Sequence, residues 1–133
     1  MKNYDRESLK VIFKNNICPI LIQNIDCDAF NNYVVLDKDS DSSLFNGHYE
    51  GINFVGPKWY YELEEKSKNE YCILILKDIN MLDFDSQLRF MEILKYRKIS
   101  TFELPSNCRI ILLCDNLEKS PLCEEIYSLV AQV

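Results

Sequence analysis

The chain has 133 residues, of which 47% are hydrophobic and 27% are charged, and its formal net charge is −6. A chain of this length and composition can bury a core without disulfides or metals, so we expect a single domain over residues 1–133 and exclude a disordered chain. The acidic balance argues against nucleic acid as a partner, because phosphate contacts require a surplus of Lys and Arg.

The hydrophobic runs are too short to cross a membrane. The longest runs, 17–22 and 72–76, have the length of strands, whereas a transmembrane helix needs about 20 apolar residues. The first ten residues are polar and charged and lack the apolar segment of a signal peptide. We therefore expect a cytoplasmic protein with no membrane partner.

The six cysteines and the single histidine do not form a metal or redox motif. No two cysteines stand in a C-x-x-C pair, and His48 has no paired ligands near it in the sequence. Cys18, Cys72 and Cys114 lie inside or beside apolar runs, where a thiol behaves as a small hydrophobe. The prediction is that the thiols are free and that the protein holds neither a metal nor a cofactor.

In the first half of the chain, the hydrophobic period changes repeatedly between helix-like and strand-like. Residues 5–14 have the i, i+3, i+4 spacing of an amphipathic helix, and 17–23 form a continuously apolar strand. A second strand is predicted at 33–36, beyond a polar loop. Pro57 then opens a helix that should run to about residue 68.

The second half contains the strongest strand of the chain, residues 71–76, in which every residue is apolar. Asp83 or Asp85 can cap the helix that follows it. Further elements come in this order: an extended piece at 99–104, an apolar strand at 109–114, a helical turn opened by Pro121 and a last strand at 127–133. Apolar strands that alternate with amphipathic helices predict an α/β fold with a mostly parallel central sheet of about five strands and flanking helices.

Polar residues follow the predicted strands where a ligand would bind. Ligands of parallel sheets bind outside the carboxyl ends of the strands, which here carry the pairs Gln23-Asn24, Lys77-Asp78 and Asp115-Asn116. Together with Asp83 and Asp85, the acids at these ends could form a cluster that binds a divalent ion. Capping explains Asp83 and Asp85 more simply, and strands also end in polar residues because they end in loops.

Three stretches in the second half of the chain carry a resemblance to a known family. They are Ile73-Leu-Ile-Leu-Lys-Asp-Ile-Asn80, Gln87-Leu-Arg-Phe-Met-Glu-Ile-Leu94 and Leu104-Pro-Ser-Asn-Cys-Arg-Ile-Ile-Leu-Leu-Cys-Asp-Asn116. Their order and spacing resemble the segment from Walker B to sensor 1 of AAA+ ATPases. The segments 41–47 and 54–57 resemble the MoxR-like branch of that family, and 120–126 resembles the helix that carries its arginine finger.

The resemblance implies a P-loop NTPase (AAA+)-like fold, but the departures from the family pattern imply that ATP is not hydrolysed. Residues 24–32 contain neither a glycine nor a Lys-Ser pair, so they cannot form the loop that cradles phosphates. Lys77 and Asp78 stand at the Walker B positions of Asp and Glu, and a lysine cannot ligate magnesium. Tyr127 or Ser128 replaces the arginine finger, and the chain ends before a helical lid.

Two functions remain open from the sequence. The first is a non-catalytic pseudo-ATPase domain that acts as an interaction, regulatory or scaffold module, with an active AAA+ subunit or another copy of itself as partner. The aromatic-rich segment 48–61 suits such an interface, although its rings could equally pack in the core. The second is a residual nucleotide or divalent-metal binder that uses Lys77, Asp78, Asp115 and Asn116. The AAA+ interpretation requires the strands before Asp78 and Asn116 to be neighbours.

Overall fold

The computed structural model describes residues 18–37 and 45–132, and its main element is a parallel β-sheet. The strands in chain order are β1 (Ile20–Ile22), β2 (Tyr33–Asp37), β3 (His48–Glu50), β4 (Asn53–Val55), β5 (Cys72–Lys77), β6 (Lys98–Ile99), β7 (Phe102–Glu103), β8 (Cys108–Leu113) and β9 (Ala131–Gln132). The main sheet has five strands in the order β2-β5-β8-β1-β9, and all neighbours are parallel. The predicted α/β class with a parallel sheet of five strands is confirmed.

Helical segments connect these strands. In the described ranges they are α1 (Lys58–Lys66), α2 (Phe84–Gln87), α3 (Glu124–Tyr127), 3-10 turns at Cys27–Ala29, Ile79–Met81 and Leu88–Phe90, and a π-helical turn at Glu92–Tyr96. α1 follows Pro57 and α2 follows Asp83, as predicted. The π-helical turn ends at Arg97, whose backbone is left-handed (φ 54°). The Arg97 guanidinium donates to the carbonyls of Pro105 and Cys108, which ties this helix end to the start of β8.

The two faces of the sheet are covered differently. Side chains alternate between the faces of a strand, and the face that carries Leu74 and Leu112 packs against α1, α3 and the helical segment between β5 and β6. The other face carries Ile75 and Ile111, and among the described residues its buried cover is Phe30. Each fully buried Leu or Ile contributes about 1.5–3 kcal/mol, so this two-sided burial explains why β5 and β8 form the centre of the fold.

The connection from β1 to β2 crosses the second face of the sheet and is unusually short. β1 and β2 are separated in the sheet by β8 and β5, yet only residues 23–32 join them. A crossover between parallel strands usually contains an α-helix, whereas this one contains only the single 3-10 turn Cys27–Ala29. The segment between β1 and β2 therefore contains no α-helix.

Several predicted details are wrong. The piece at 99–104 is a hairpin of β6 and β7, because Ser100 turns the chain with a left-handed backbone (φ 55°). The last strand begins at Ala131, since Tyr127 still belongs to α3. Cys18 is exposed and does not pack as a core hydrophobe. The predicted helix at 5–14 lies outside the described residues.

The hairpin of β3 and β4 was not predicted at all. It turns at Gly51, whose φ of +64° lies in the left-handed region that glycine adopts without strain. None of the helices in the described ranges has the length and apolar character needed to span a bilayer.

Candidate functional site

Three neighbouring strands of the main sheet are each followed by a residue with left-handed backbone conformation. β1, β8 and β5 are followed by Asn24 (φ 61°), Asn116 (φ 57°) and Asp78 (φ 58°). Left-handed backbone is unfavourable for most side chains, and Asn and Asp tolerate it best. Each residue turns the chain sharply at the carboxyl edge of the sheet, where the predicted site residues are found.

The strands that precede Asp78 and Asn116 are direct neighbours. Lys77 of β5 pairs in register with Leu113 of β8, and the Asp78 N–H donates to the Leu113 carbonyl at 2.9 Å. The structure thus has the adjacency that the AAA+ interpretation requires.

Asp115 is engaged by the chain that leaves β1. Its Oδ1 accepts a hydrogen bond from the backbone N–H of Asn24 at 2.6 Å. This N–H belongs to the second residue after β1, where a nucleotide-binding loop would present its amides to phosphate. A carboxylate of the protein itself therefore occupies the position of an anion at this amide.

The side chain of Asn80 is hydrogen-bonded to the backbone of Asp115. Its side chain is 2% exposed, and Nδ2 donates to the carbonyls of Asp115 (2.8 Å) and Ser120 (2.9 Å). Its Oδ1 is buried without a hydrogen-bond partner in the described structure. The amide is thus a link between the turn after β5 and the turn after β8.

Gln87 makes a second buried link between the same segments. It is 0% exposed, and Nε2 donates to the carbonyls of Leu82 (2.9 Å) and Pro121 (3.2 Å). Its Oε1 accepts from the Cys123 N–H at 2.7 Å. Sequence reasoning missed the roles of Asn80 and Gln87. For Gln87 the sequence contains a signal. This polar residue precedes Phe90 by three positions and Leu94 by seven, which places it on the apolar face of the helix.

Lys77 points away from the helical layer. In β5 it points to the same face as Ile73 and Ile75, which is the face crossed by residues 23–32, and its side chain is exposed. Burial raises the pKa of the Cys27 thiol in that crossing segment, and the positive charge of Lys77 partly offsets this effect. Lys77 thus stands beside the crossing segment with Cys27, whereas Asp115 and Asn116 are exposed on the turn after β8.

The acids at the strand ends do not assemble into a metal centre. Within residues 18–37 and 45–132, no three His, Cys, Asp or Glu side chains lie close enough together to hold an ion. Asp83 is the N-cap residue of α2, and a hydrogen bond with the Ser86 side chain lowers its pKa. Asp85 lies in the first turn of α2, so its position agrees with the simpler interpretation as a helix-end acid.

Two surface clefts in the described structure lie away from the strand ends. One, of about 470 Å³, lies between β2 and α1, and the other, of about 400 Å³, is lined by residues of α1, by Ser67 and Lys68 after its end, and by Pro105. Lys77, Asp78, Asp115 and Asn116 line neither of them. The predicted site residues share an edge of the sheet without enclosing a cavity of this kind.

The aromatic segment divides into a buried part and an exposed part. Trp59 and Tyr60 are buried on α1, whereas Tyr49 of the β3–β4 hairpin is 72% exposed and Ile52 at its tip is 96% exposed. Phe54 links the two parts, since its ring packs edge-on against Tyr49 at 5.0 Å and stacks on Phe102 at 5.6 Å. The hairpin is therefore an ordered apolar projection anchored to the core.

No protein-family model and no curated protein matches this chain. The strand-end edge carries exposed carboxylates, one lysine and the side-chain amides of Asn24 and Asn116, and in the part of the chain that the structure describes these groups do not form a set of metal ligands. The hairpin offers an exposed apolar surface, which soluble proteins use mainly to contact other proteins.

Proposed function

We propose that this chain is a non-catalytic interaction module, a P-loop NTPase (AAA+)-like sheet without the machinery for ATP hydrolysis. The adjacency of β5 and β8, with Asp78 and Asn116 at their ends, supports the resemblance stated for the sequence. A cytoplasmic location remains a prediction.

The observation that carries the proposal is the segment that follows β1. A P-loop cradles phosphates with successive backbone amides and continues into a helix. Here residues 23–32 contain no glycine and no α-helix, and the backbone N–H of Asn24 is bound to Asp115. The exposed acids Asp26 and Asp28 would also repel a triphosphate. This edge of the sheet is therefore unsuited to nucleotide.

The interaction part of the proposal rests on the β3–β4 hairpin. Its apolar side chains Tyr49 and Ile52 are largely exposed, while ring contacts through Phe54 and Phe102 hold the hairpin in place. A preordered aromatic surface loses little conformational entropy on binding, which is why such residues dominate protein interfaces. We infer that the hairpin docks on another protein, such as an active AAA+ subunit.

The runner-up function is residual binding of nucleotide or a divalent ion at Lys77, Asp78, Asp115 and Asn116. A thermal-shift titration with ATP, ADP and GTP, with and without magnesium, separates it from the main proposal, because a ligand of the native state must raise the melting temperature. We expect no shift at millimolar nucleotide. A magnesium-dependent shift that Lys77→Ala or Asp78→Ala abolishes would overturn the proposal in favour of the runner-up.

The docking role needs its own test. Affinity capture from the native cell, read by quantitative mass spectrometry, would compare the wild type with Ile52→Asp. The matched control is Tyr96→Ser, which changes an exposed ring outside the hairpin. We expect a partner protein that is captured by the wild type and by Tyr96→Ser but not by Ile52→Asp. Equal capture by both variants would refute the hairpin as the docking surface.

A further inference from the structure

The helical segment that precedes β6 exposes large apolar side chains to solvent. Residues 84–96 are helical without interruption, through α2, a 3-10 turn, Met91 and the π-helical turn. Phe84 is 53% exposed and Leu88 is 38% exposed, although both are apolar. The other side of the segment packs in the core, and its buried residues are Gln87, Phe90, Ile93 and Leu94.

The exposed apolar side chains belong to one row along the helix. Phe84, Leu88, Met91 and Lys95 follow each other at spacings of four, three and four residues, which places them on one side. The 3-10 turn is wound more tightly than an α-helix and the π-helical turn less tightly, so their effects on the row oppose each other. Met91 is half-buried and Lys95 is exposed. The row therefore begins with apolar side chains and ends with a lysine.

Charges of opposite sign stand at the two ends of this row. Asp85, next to Phe84, is exposed in the first turn, and Lys95 is exposed in the last turn. Neither has a salt-bridge partner in the part of the chain that the structure describes. Lys95 Nζ lies 5.4 Å from the centre of the Tyr96 ring, and this contact supplies no counter-ion. The acid and the base are thus each open to an opposite charge from another molecule.

An antiparallel copy of the same helix presents the matching groups in the matching order. A two-fold axis between positions 89 and 90 brings Leu88 of each copy to Met91 of the other. The same rotation brings Phe84 and Asp85 to Lys95 of the second copy. Apolar atoms then meet at the centre and opposite charges meet at both ends, which is the self-complementarity that a two-fold interface requires.

We propose that this row is the interface of a homodimer in which the helices formed by residues 84–96 of two copies pack antiparallel. The Phe84 ring covers the aliphatic stem of Lys95 of the second copy, while the ammonium group of that lysine reaches Asp85. Symmetry forms this ion pair twice. The charge order selects a second copy as the partner, because the chain itself carries the acid, the apolar centre and the base in the sequence that the row needs.

The dimer contact is independent of the β3–β4 hairpin and of the strand ends. It contains no residue of His48–Val55 and none of Lys77, Asp78, Asp115 and Asn116. Loss of the hairpin's partner would leave the dimer in place, and a monomeric chain would leave the capture of another protein by the hairpin untouched. The two proposals can therefore fail separately.

Charge reversal tests the contact, with the mass of the full chain measured by analytical ultracentrifugation. We expect the wild type at twice the chain mass of 15.7 kDa. Asp85→Lys and Lys95→Glu each place like charges opposite one another, so each should raise the dissociation constant of the dimer at least about tenfold. Glu70→Lys reverses a charge at an exposed position before β5 and should leave this constant unchanged.

A mixture of the two reversed variants is the decisive comparison. In a heterodimer of Asp85→Lys with Lys95→Glu, one ion pair keeps its original residues and the other has its signs exchanged, so the equimolar mixture should recover the mass of a dimer. A mixture that stays monomeric although circular dichroism shows both variants folded would overturn the proposal. A monomeric wild type at high micromolar concentration, or a mass above two chains, would do the same.

Cross-linking of the wild type covers the case in which a variant fails to fold. A carbodiimide joins a carboxylate to a lysine amine that it contacts, and an equal mixture of chains with natural and heavy nitrogen identifies links between copies. Within one chain Asp85 and Lys95 are ten positions apart, or about 15 Å along the helix, so they cannot be linked directly. We expect a mixed-label link between these residues. A dimer without it contradicts the proposed interface.

Ile52→Asp separates this interface from a self-contact of the hairpin. The variant should remain a dimer with the dissociation constant of the wild type, because Ile52 lies outside the row. Its dissociation would place the self-contact on the hairpin and reject the helix formed by residues 84–96.

Discussion

The backbone N–H of Asn24 donates to Oδ1 of Asp115 at 2.6 Å, and this bond joins the chain leaving β1 to the chain leaving β8. A hydrogen bond to a charged group contributes more than a neutral one, but both residues are exposed, so we expect Asp115→Ala to lower the free energy of unfolding by about 1 kcal/mol. Asp115→Asn keeps an acceptor oxygen and should lose less. Urea denaturation measures both effects.

The control for Asp115 is Glu118→Ala, which removes an exposed carboxylate from the same loop. This variant should change the free energy of unfolding by less than about 0.5 kcal/mol. If Asp115→Ala and Glu118→Ala behave alike, the bond to Asn24 contributes nothing measurable.

The central strands could be predicted because burial on both faces leaves a continuous apolar run in the sequence. The apolar runs 72–76 of β5 and 110–114 in and after β8 are of this kind. The β3–β4 hairpin has no such run, since His48–Glu50 are exposed and alternation disappears when neither face is buried. Its one local signal is Gly51, and a single glycine does not distinguish a hairpin turn from a loop.

The candidate site was predicted in part for a similar reason. Residues that follow apolar runs, such as Asp78 and Asp115, can be placed at the edge of a parallel sheet from periodicity alone. Asn80 and Gln87 acquire their roles only when the chain from Ser120 to Cys123 approaches them in the folded protein. A buried side-chain amide is thus recognised from its partners, which local sequence does not specify.

Gln87 should be one of the least replaceable polar residues. Gln87→Ala leaves the Cys123 N–H and two carbonyls without partners in the core and removes buried volume, so we expect a loss of about 3 kcal/mol in the free energy of unfolding. Arg89→Ala, at an exposed position two residues along, should change it by less than about 0.5 kcal/mol. Chemical denaturation of both variants, checked for unchanged m-values, makes the comparison. A loss below that of Arg89→Ala would show that the amide bonds are not required.

Three buried thiols predict instability at alkaline pH. Burial raises the pKa of Cys72 to about 11 and those of Cys108 and Cys114 to about 12, from an ordinary value of 9.0. The unfolded chain therefore releases these protons at lower pH than the folded protein does. Their contribution to stability is complete below pH 9 and is lost above it, up to about pH 11 for Cys72 and about pH 12 for Cys108 and Cys114, by about 1.4 kcal/mol per pH unit for each thiol.

The measurement is the free energy of unfolding as a function of pH, followed by circular dichroism in urea under reducing conditions. Cys114→Ala removes one of the groups whose pKa burial raises, so the slope above pH 9 should become shallower, whatever the variant's stability at neutral pH. An unchanged slope in Cys114→Ala would contradict the assignment of alkaline unfolding to these thiols.

The stability of the β3–β4 hairpin should depend on the aromatic rings at its base and not on the residue at its tip. Phe102 stacks on Phe54 at 5.6 Å and contacts Tyr60 at 5.4 Å, so Phe102→Ala removes the link between the hairpin and α1. We expect it to cost about 2–3 kcal/mol and to accelerate amide exchange throughout His48–Val55. Ile52→Asp should leave both quantities unchanged, because Ile52 is 96% exposed. Hydrogen exchange read by mass spectrometry gives both results in one experiment. Destabilisation by Ile52→Asp would mean that the tip packs within the protein and is unavailable to a partner.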